Sequence, residues 1–407
     1  MVSNSNENGN EITIQYTVRS PWEWVLAKVA SESDIPMQYC QDRQKMVSGL
    51  LQPTPNTIRR SAKKRIQPCT VRFDLIDSNG KLLESHHGIS SALDGLEDKD
   101  ELVRTFQRCR ADFLGFTPPS TLIRWDATLP ECKNMVREWP VLPGNEGATM
   151  AVLKEPIGSQ GEGIYFVNSV ETLYEILHKH RNRAINEGQG FLDTIMEQKG
   201  RIPSWVLQAE IHPPLLIRQG HKFHLRSYVV VMECLDDNHL VNLYLYNRHE
   251  VRIAGMAVAD CDDKDNNSRD RRAHITNGAN GNSTARVLID TVQELAPHQQ
   301  ALEHFGATML THLLPDISRR VEYTAAEHAP EISKHILAGL DIMMTEDFQF
   351  HLLEVNVNPA APPEANSPPD FTKHLVGFMT DLKNLVLGHG APNFYLVDEV
   401  LARGPGR

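Results

Sequence analysis

The 407-residue chain lacks three features that would each have pointed to a class of protein. It has no apolar run approaching the ~18 residues that a membrane-spanning helix needs. Its longest apolar stretches, such as Tyr228–Met232, are of strand length, so no membrane partner is expected. It has no basic surplus. Lys and Arg number 41 against 52 Asp and Glu, a formal charge of −11, and no nucleic-acid partner is expected of such a balance. It has no closely spaced cysteines. The six stand at 40, 69, 109, 132, 234 and 261, the nearest two 23 positions apart, which excludes a CxxC zinc or redox pair. Met1–Asn10 is polar, with no basic start and no apolar stretch behind it. That predicts no secretory signal, a cytoplasmic location and reduced thiols. What remains is ordinary: 41% hydrophobic and 23% charged residues, enough for two or three globular domains with mixed α/β (α+β) structure.

The chain is β-prone at Ile12–Val18, and Thr117-Pro118-Pro119-Ser120 marks a boundary near 120. A strand follows at Met150–Leu153, then a glycine-bearing loop at Ile157–Gly163. A helix is predicted over Val170–Arg183, with Leu173, Ile176 and Leu177 on one face, and a short strand at Trp205–Gln208. Phe223–Glu233 and Asn242–Tyr246 read as strands, 286–340 as mostly helical, 341–356 as a β-hairpin and 371–388 as a closing amphipathic helix. Five Asp fall within 260–270 without the glycine of an EF-hand turn, which makes that stretch a solvated loop.

The hairpin is the most informative segment. If Thr345 pairs with Phe350, Asp341 lies directly opposite Glu354, with Cβ atoms ~5 Å apart. Asn356, two residues on, points to the same face. Two carboxylates and an amide oxygen are hard ligands suited to Mg2+ shared with phosphate oxygens. A surface hairpin with a wet face is the alternative. Leu352, Leu353 and Val355 beside Glu354 argue instead for burial, where paired carboxylates repel unless a cation joins them.

Three further segments carry weaker signals. Lys154 precedes Ser159-Gln160-Gly161-Glu162-Gly163, a small-residue loop able to bring backbone N–H groups to phosphate, although it is not a Walker A loop. Gln208-Ala209-Glu210-Ile211 leads into Pro213-Pro214 and offers backbone groups to a purine edge. Lys222, His224 and Arg226 alternate onto one strand face, and Arg252 stands in a similar strand.

In this order the segments resemble the tubulin–tyrosine ligase-like family of ATP-grasp ligases. The matching residues are Lys154, 159–163, Gln208–Ile211, Pro214-Leu215-Leu216-Ile217, Lys222-Phe223-His224-Leu225-Arg226, Arg252, His274-Ile275-Thr276-Asn277, Asp341 and Leu352-Leu353-Glu354-Val355-Asn356. The resemblance covers about 150–360 well and 1–120 loosely. It implies an ATP-grasp architecture: an N-terminal α/β domain (1–120), a central domain (121–208), a C-terminal antiparallel-sheet domain (209–390) and a tail (391–407), with ATP between the last two domains. It implies an ATP- and Mg2+-dependent ligase that joins a free amino acid to a protein carboxylate through an acyl phosphate. Tyrosination, glutamylation and glycylation all stay open, with the tubulin C-terminal tail as one acceptor and cytoskeletal association to match.

Carried over by position, Asp341, Glu354 and Asn356 hold Mg2+, as two ions. Lys154 and Ser159, Gln160, Gly161, Glu162 and Gly163 hold phosphates. Gln208, Ala209, Glu210, Ile211, Lys222 and Leu353 hold adenosine, and His224, Thr276 and Asn277 line the ribose and phosphate side. Arg226 and Arg252 steady the acyl phosphate or the amino acid's carboxylate. The chain departs from the family pattern at Glu162 (Arg or Lys there), at Ala209 and Glu210 (a basic residue, then Tyr) and at His224 (Asp). These departures keep two other readings open: a catalytically weak binding module, and an ATP-grasp ligase for a small molecule or peptide. The basic cluster Arg59, Arg60, Lys63, Lys64 and Arg65 is a candidate dock for an acidic tail.

Overall fold

The computed structural model describes residues 12–18, 22–39, 71–78, 82–87, 92–111, 114–138, 151–156, 163–186, 202–233, 241–260, 271–276, 285–325 and 333–404. The 59–65 cluster, the 159–162 part of the small-residue loop, Asn277 and most of the Asp-rich stretch lie outside them. In chain order the elements begin with β1 (Ile12–Val18), α1 (Glu23–Glu32), β2 (Met37–Tyr39), β3 (Val71–Asp77), β4 (Leu82–His87) and α2 (Lys99–Arg108). The middle of the chain forms β5 (Ser120–Ile123), α3 (Leu129–Glu138), β6 (Ala151–Lys154), β7 (Ile164–Val167), α4 (Val170–Asn186) and β8 (Trp205–Ala209). Then come β9 (His221–Glu233), β10 (Val241–Tyr246), β11 (Glu250–Ala257), the single turn α5 (Arg271–His274), β12 (Ala285–Leu288) and α6 (Gln299–Ala325). The chain closes with β13 (Ser333–Met344), β14 (Phe350–Val357), α7 (Pro369–Val386), β15 (Phe394–Leu396) and α8 (Val397–Arg403).

Two sheets result. The larger runs β12-β11-β9-β13-β4-β3-β1-β2, with β14 on β13, and β10 bridging β9 to β15. The smaller is β5-β8-β6-β7 and antiparallel throughout. Period-2 alternation sorts the side chains. On β9, Phe223, Leu225, Val229 and Val231 enter a core shared with α2 and α6. Tyr228 and Val230 enter a second core under α1 and α7. Lys222, His224 and Arg226 share the Tyr228 face, so that face turns from apolar to charged along a single strand. In the small sheet Ala151, Leu153, Val167, Trp205 and Leu207 pack on α3 and α4. The opposite face carries Val152, Lys154, Ile164, Phe166 and Gln208 toward the large sheet.

The structure corrects two expectations. The stretch 286–340 is helical only in its middle. Its start is β12, and its end belongs to β13, which begins at Ser333. A run as continuously apolar as Ile336-Leu337-Ala338 fits a buried strand as well as a buried helix, and periodicity alone does not separate them. The hairpin turn is also one residue out of the expected register. Met344, not Thr345, pairs with Phe350. No helix among the described residues is long and apolar enough to cross a membrane.

Candidate functional site

A cleft of about 820 Å³ lies between the two sheets. The small sheet supplies Val152, Lys154, Ile164, Phe166 and Gln208, and Ala209, Glu210 and Ile211 continue from β8. Below them lie Lys222, His224, Asp341, Met343, Leu353 and Glu354, with His274, Ile275 and Thr276 at the side. Eleven of the expected site residues therefore line one cavity: Lys154, Gln208–Ile211, Lys222, His224, Thr276, Asp341, Leu353 and Glu354. Gly163 does not line it. It takes φ +67° and closes the β6–β7 connection, its carbonyl accepting the Glu155 N–H at 2.7 Å. Arg226, Arg252 and Asn356 stand beside the cleft on the same face of the large sheet.

A bulge sets the floor. From the turn, Met344 pairs with Phe350 and Ile342 with Leu352; the register then shifts, and Asp341 pairs with Glu354. Leu353 is the extra residue. If the same sequence paired in unbroken register, Asp341 would oppose Leu353, and Glu354 would point to the other face. Asn356 donates to Asp341 Oδ2 at 3.0 Å and to Glu354 Oε1 at 3.4 Å, so three side chains from two strands converge.

Asp341 is 2% exposed. Burial disfavours its charge, but the Arg226 guanidinium, aided by His224, holds the carboxyl well below the usual carboxylate range. Arg226 grips it at both oxygens, Nη2 to Oδ2 at 2.9 Å and Nε to Oδ1. Gly339 makes this possible. A Cβ there would stand 2.6 Å from Arg226 Cδ, so the arginine lies over bare backbone. His224 Nε2 is 3.4 Å from Asp341 Oδ1, and its Nδ1 is bonded to the Thr276 hydroxyl. Burial keeps this imidazole below its ordinary value, against the pull of Asp341.

Lys154 is the second charged feature. Its side chain is buried, and its amine donates to the Leu353 carbonyl at 3.4 Å. Burial pushes that amine down to about 8, with Glu354 pulling the other way. A buried ammonium beside a cavity, held by one long hydrogen bond, suits an anion that would complete its shell. Lys222 differs: its amine meets Glu210 Oε1 at 3.0 Å and His274 Nδ1 at 2.9 Å.

Among the described residues no three His, Cys, Asp or Glu side chains gather as a metal cage. Asp341, Glu354 and Asn356 offer two carboxylates and, after an amide flip, one carbonyl oxygen. That donor set fits a hard divalent cation completing its sphere with water and phosphate.

The sequence reading missed several groups. Phe166 stands edge-on to the His274 ring, 5.5 Å between centroids. Glu250, fully buried, accepts from Tyr228 at 2.7 Å and Arg252 at 3.2 Å, with His374 Nε2 3.7 Å away. Burial works against the Glu250 carboxylate, yet His374, Arg252 and Tyr228 together hold it below its usual range. Arg286 stands opposite Arg252. A second cleft, of about 850 Å³, opens between α2 and β8 and shares Lys154, Gln208 and Leu353 with the first. The doubled apolar Leu352-Leu353 before Glu354 is the signal that could have revealed the bulge. Nothing local marks the others.

A family model described as the Tubulin-tyrosine ligase family matches residues 97–379. No curated protein matches the chain.

Proposed function

Because the chain belongs to the tubulin-tyrosine ligase family, whose members are in general ATP-dependent ligases forming carbon–nitrogen bonds, we propose that it joins an amino acid to a protein carboxylate, such as that of an acidic tubulin tail. The observation that carries this reading is the buried Lys154 amine facing the opposed Asp341 and Glu354 across a cleft between two sheets. The reading includes an ATP-grasp arrangement, with the nucleotide between a central unit ending near 208 and a C-terminal unit. In the proposed reaction the acceptor carboxylate attacks the γ-phosphorus and ADP leaves. The amino group of the second substrate then attacks the acyl carbon, phosphate departs, and an amide forms.

Catalysis of this kind is positioning and charge neutralisation. Lys154 sets a fixed positive charge against the phosphates, with the 159–163 loop covering them. Gln208–Ile211 and Lys222 hold the adenosine, with Leu353 as a wall of the base pocket. His224, Thr276 and Asn277 line the ribose and phosphate side. Arg226 and Arg252 steady the acyl phosphate. Asp341, Glu354 and Asn356 would hold Mg2+, which supplies charge neutralisation at the transferring phosphoryl group when bound.

A second reading has its own support. Arg226 already occupies both oxygens of Asp341, and Glu210 already engages Lys222, as in a catalytically weak module that keeps the fold. Calorimetry with Mg–AMPPNP, followed by transfer assays with ATP, purified tubulin and a pool of labelled amino acids, separates the two. The ligase binds the nucleotide and transfers label, and Glu354→Gln leaves folding intact while lowering turnover by at least ~100-fold. A wild-type protein that does not bind Mg–AMPPNP would falsify the ligase reading.

A further inference from the structure

The charged face does not stop at the cleft. His224 lines the cavity, Arg252 on β11 lies directly opposite it, and Arg286 on β12 lies directly opposite Arg252. Opposed residues of antiparallel strands share a face. The three therefore form a row leading from the cleft to the edge of the sheet. Three strand spacings, about 14 Å, separate β13 from β12, roughly the span of a phosphoryl group with an extended amino acid set against it.

The charges along this face do not balance. Arg226 has Asp341 and Arg252 has Glu250. Arg286 pairs with no carboxylate among the described residues, and its nearest charged neighbour across the ladder is another guanidinium. Arg252 is 6% exposed, yet its Nε meets no hydrogen-bond partner among the described residues. Arg286 Nη1 is buried and also meets none among the described residues. Burial, and then the Arg252 charge, push the Arg286 guanidinium below its ordinary value. Two adjacent arginines, each with a buried N–H left over, form a planar-donor pair matched to a carboxylate.

The geometry points to Arg252 and Arg286 as a subsite for a second carboxylate on the incoming substrate, with Arg286 selecting an acidic amino acid over a neutral one. This deepens the ligase reading and rests on it. The α-carboxylate needs one cation, and Arg226 serves it, which leaves Arg252 to the second carboxylate. Glycine or tyrosine would leave Arg286 beside Arg252 with nothing between them. A side-chain carboxylate fills that place and satisfies both leftover donors.

L-Glutamate and L-glutamine differ in the charge of one group and are the matched probes. Calorimetry with each, with and without Mg–AMPPNP, is done on wild type, Arg286→Gln and Arg286→Lys. Glutamate should bind wild type at least tenfold tighter than glutamine. Arg286→Gln should erase that preference, Arg286→Lys should keep part of it, and Mg–AMPPNP affinity should stay within twofold throughout. Equal binding of the two amino acids by wild type, or a preference surviving in Arg286→Gln, overturns the subsite. If Arg286→Gln does not fold, the wild-type comparison and the charge-conserving lysine variant still decide it. Loss of nucleotide binding in wild type sinks the ligase reading instead, and the nucleotide-free comparison reads the arginine pair independently of it.

Discussion

Lys154 should cost the ligand-free protein stability that its removal returns. The side chain is 7% exposed, and burial depresses its amine from 10.5 to about 8. A depression of that size corresponds to about 3 kcal/mol of penalty on the charged form. The sign follows from proton counting. Between pH 8 and 10.5 the folded amine has lost its proton while the unfolded one keeps it. The unfolded state then binds more protons, and stability climbs with pH through that window. Below pH 8 the whole penalty is present. Lys154→Met should therefore raise unfolding free energy at pH 7 by up to about 3 kcal/mol, and the gain should fade by about pH 10.5. Urea denaturation of both proteins at pH 7, 9 and 10.5 measures it. The same variant should lose Mg–AMPPNP binding, since the charge that burdens the free protein is the one proposed to meet phosphate. Near pH 8.5, nucleotide binding to wild type should draw a proton from solution, seen as buffer-dependent heat in calorimetry. A variant no more stable than wild type at pH 7, or one whose gain is the same at every pH, refutes the reasoning.

Gly339→Ala should destabilise by about 1–3 kcal/mol and dislodge Arg226 from Asp341, because the new methyl falls within 2.6 Å of Arg226 Cδ; denaturation and nucleotide titration read the two effects. Glu250→Gln, which strips the buried carboxylate from Arg252, should cost about 3–5 kcal/mol. Tyr228→Phe, which removes one hydroxyl from the same carboxylate, should cost about 1 kcal/mol in the same denaturation assay.

How much of this was legible in advance depended on the range of the interaction. Val170–Arg183, Trp205–Gln208, Phe223–Glu233 and the 371–388 helix were readable because their signals are periodic within one segment, and they form at nearly those bounds. The alternation of Lys222, His224 and Arg226 was readable for the same reason. The Lys222–Glu210 ion pair was not, since it joins a strand to the segment leaving another sheet. Arg286 was not, because four residues after an Asn- and Gly-rich stretch carry too little pattern to announce a strand. Its significance comes from lying opposite Arg252, which is a property of register. The Ser333 start of β13 was hidden because a buried strand and a buried helix look alike over a short apolar run.

The Leu353 bulge has a consequence in parity. A hairpin whose loop holds an odd number of residues pairs positions whose numbers sum to an even value, as Met344 and Phe350 do. Asp341 and Glu354 sum to an odd value, so no odd loop alone could set them on one side of the sheet. The extra residue at 353 changes the parity between the turn and the site. Because Leu353 is itself the added residue, deleting it should restore a regular ladder in which Glu354 follows Leu352 directly and still faces Asp341. What the deletion takes away is the Leu353 carbonyl that accepts from the Lys154 amine. The shortened hairpin should therefore keep its carboxylate pair while the cation above it loses its anchor, which uncouples the two halves of the cleft.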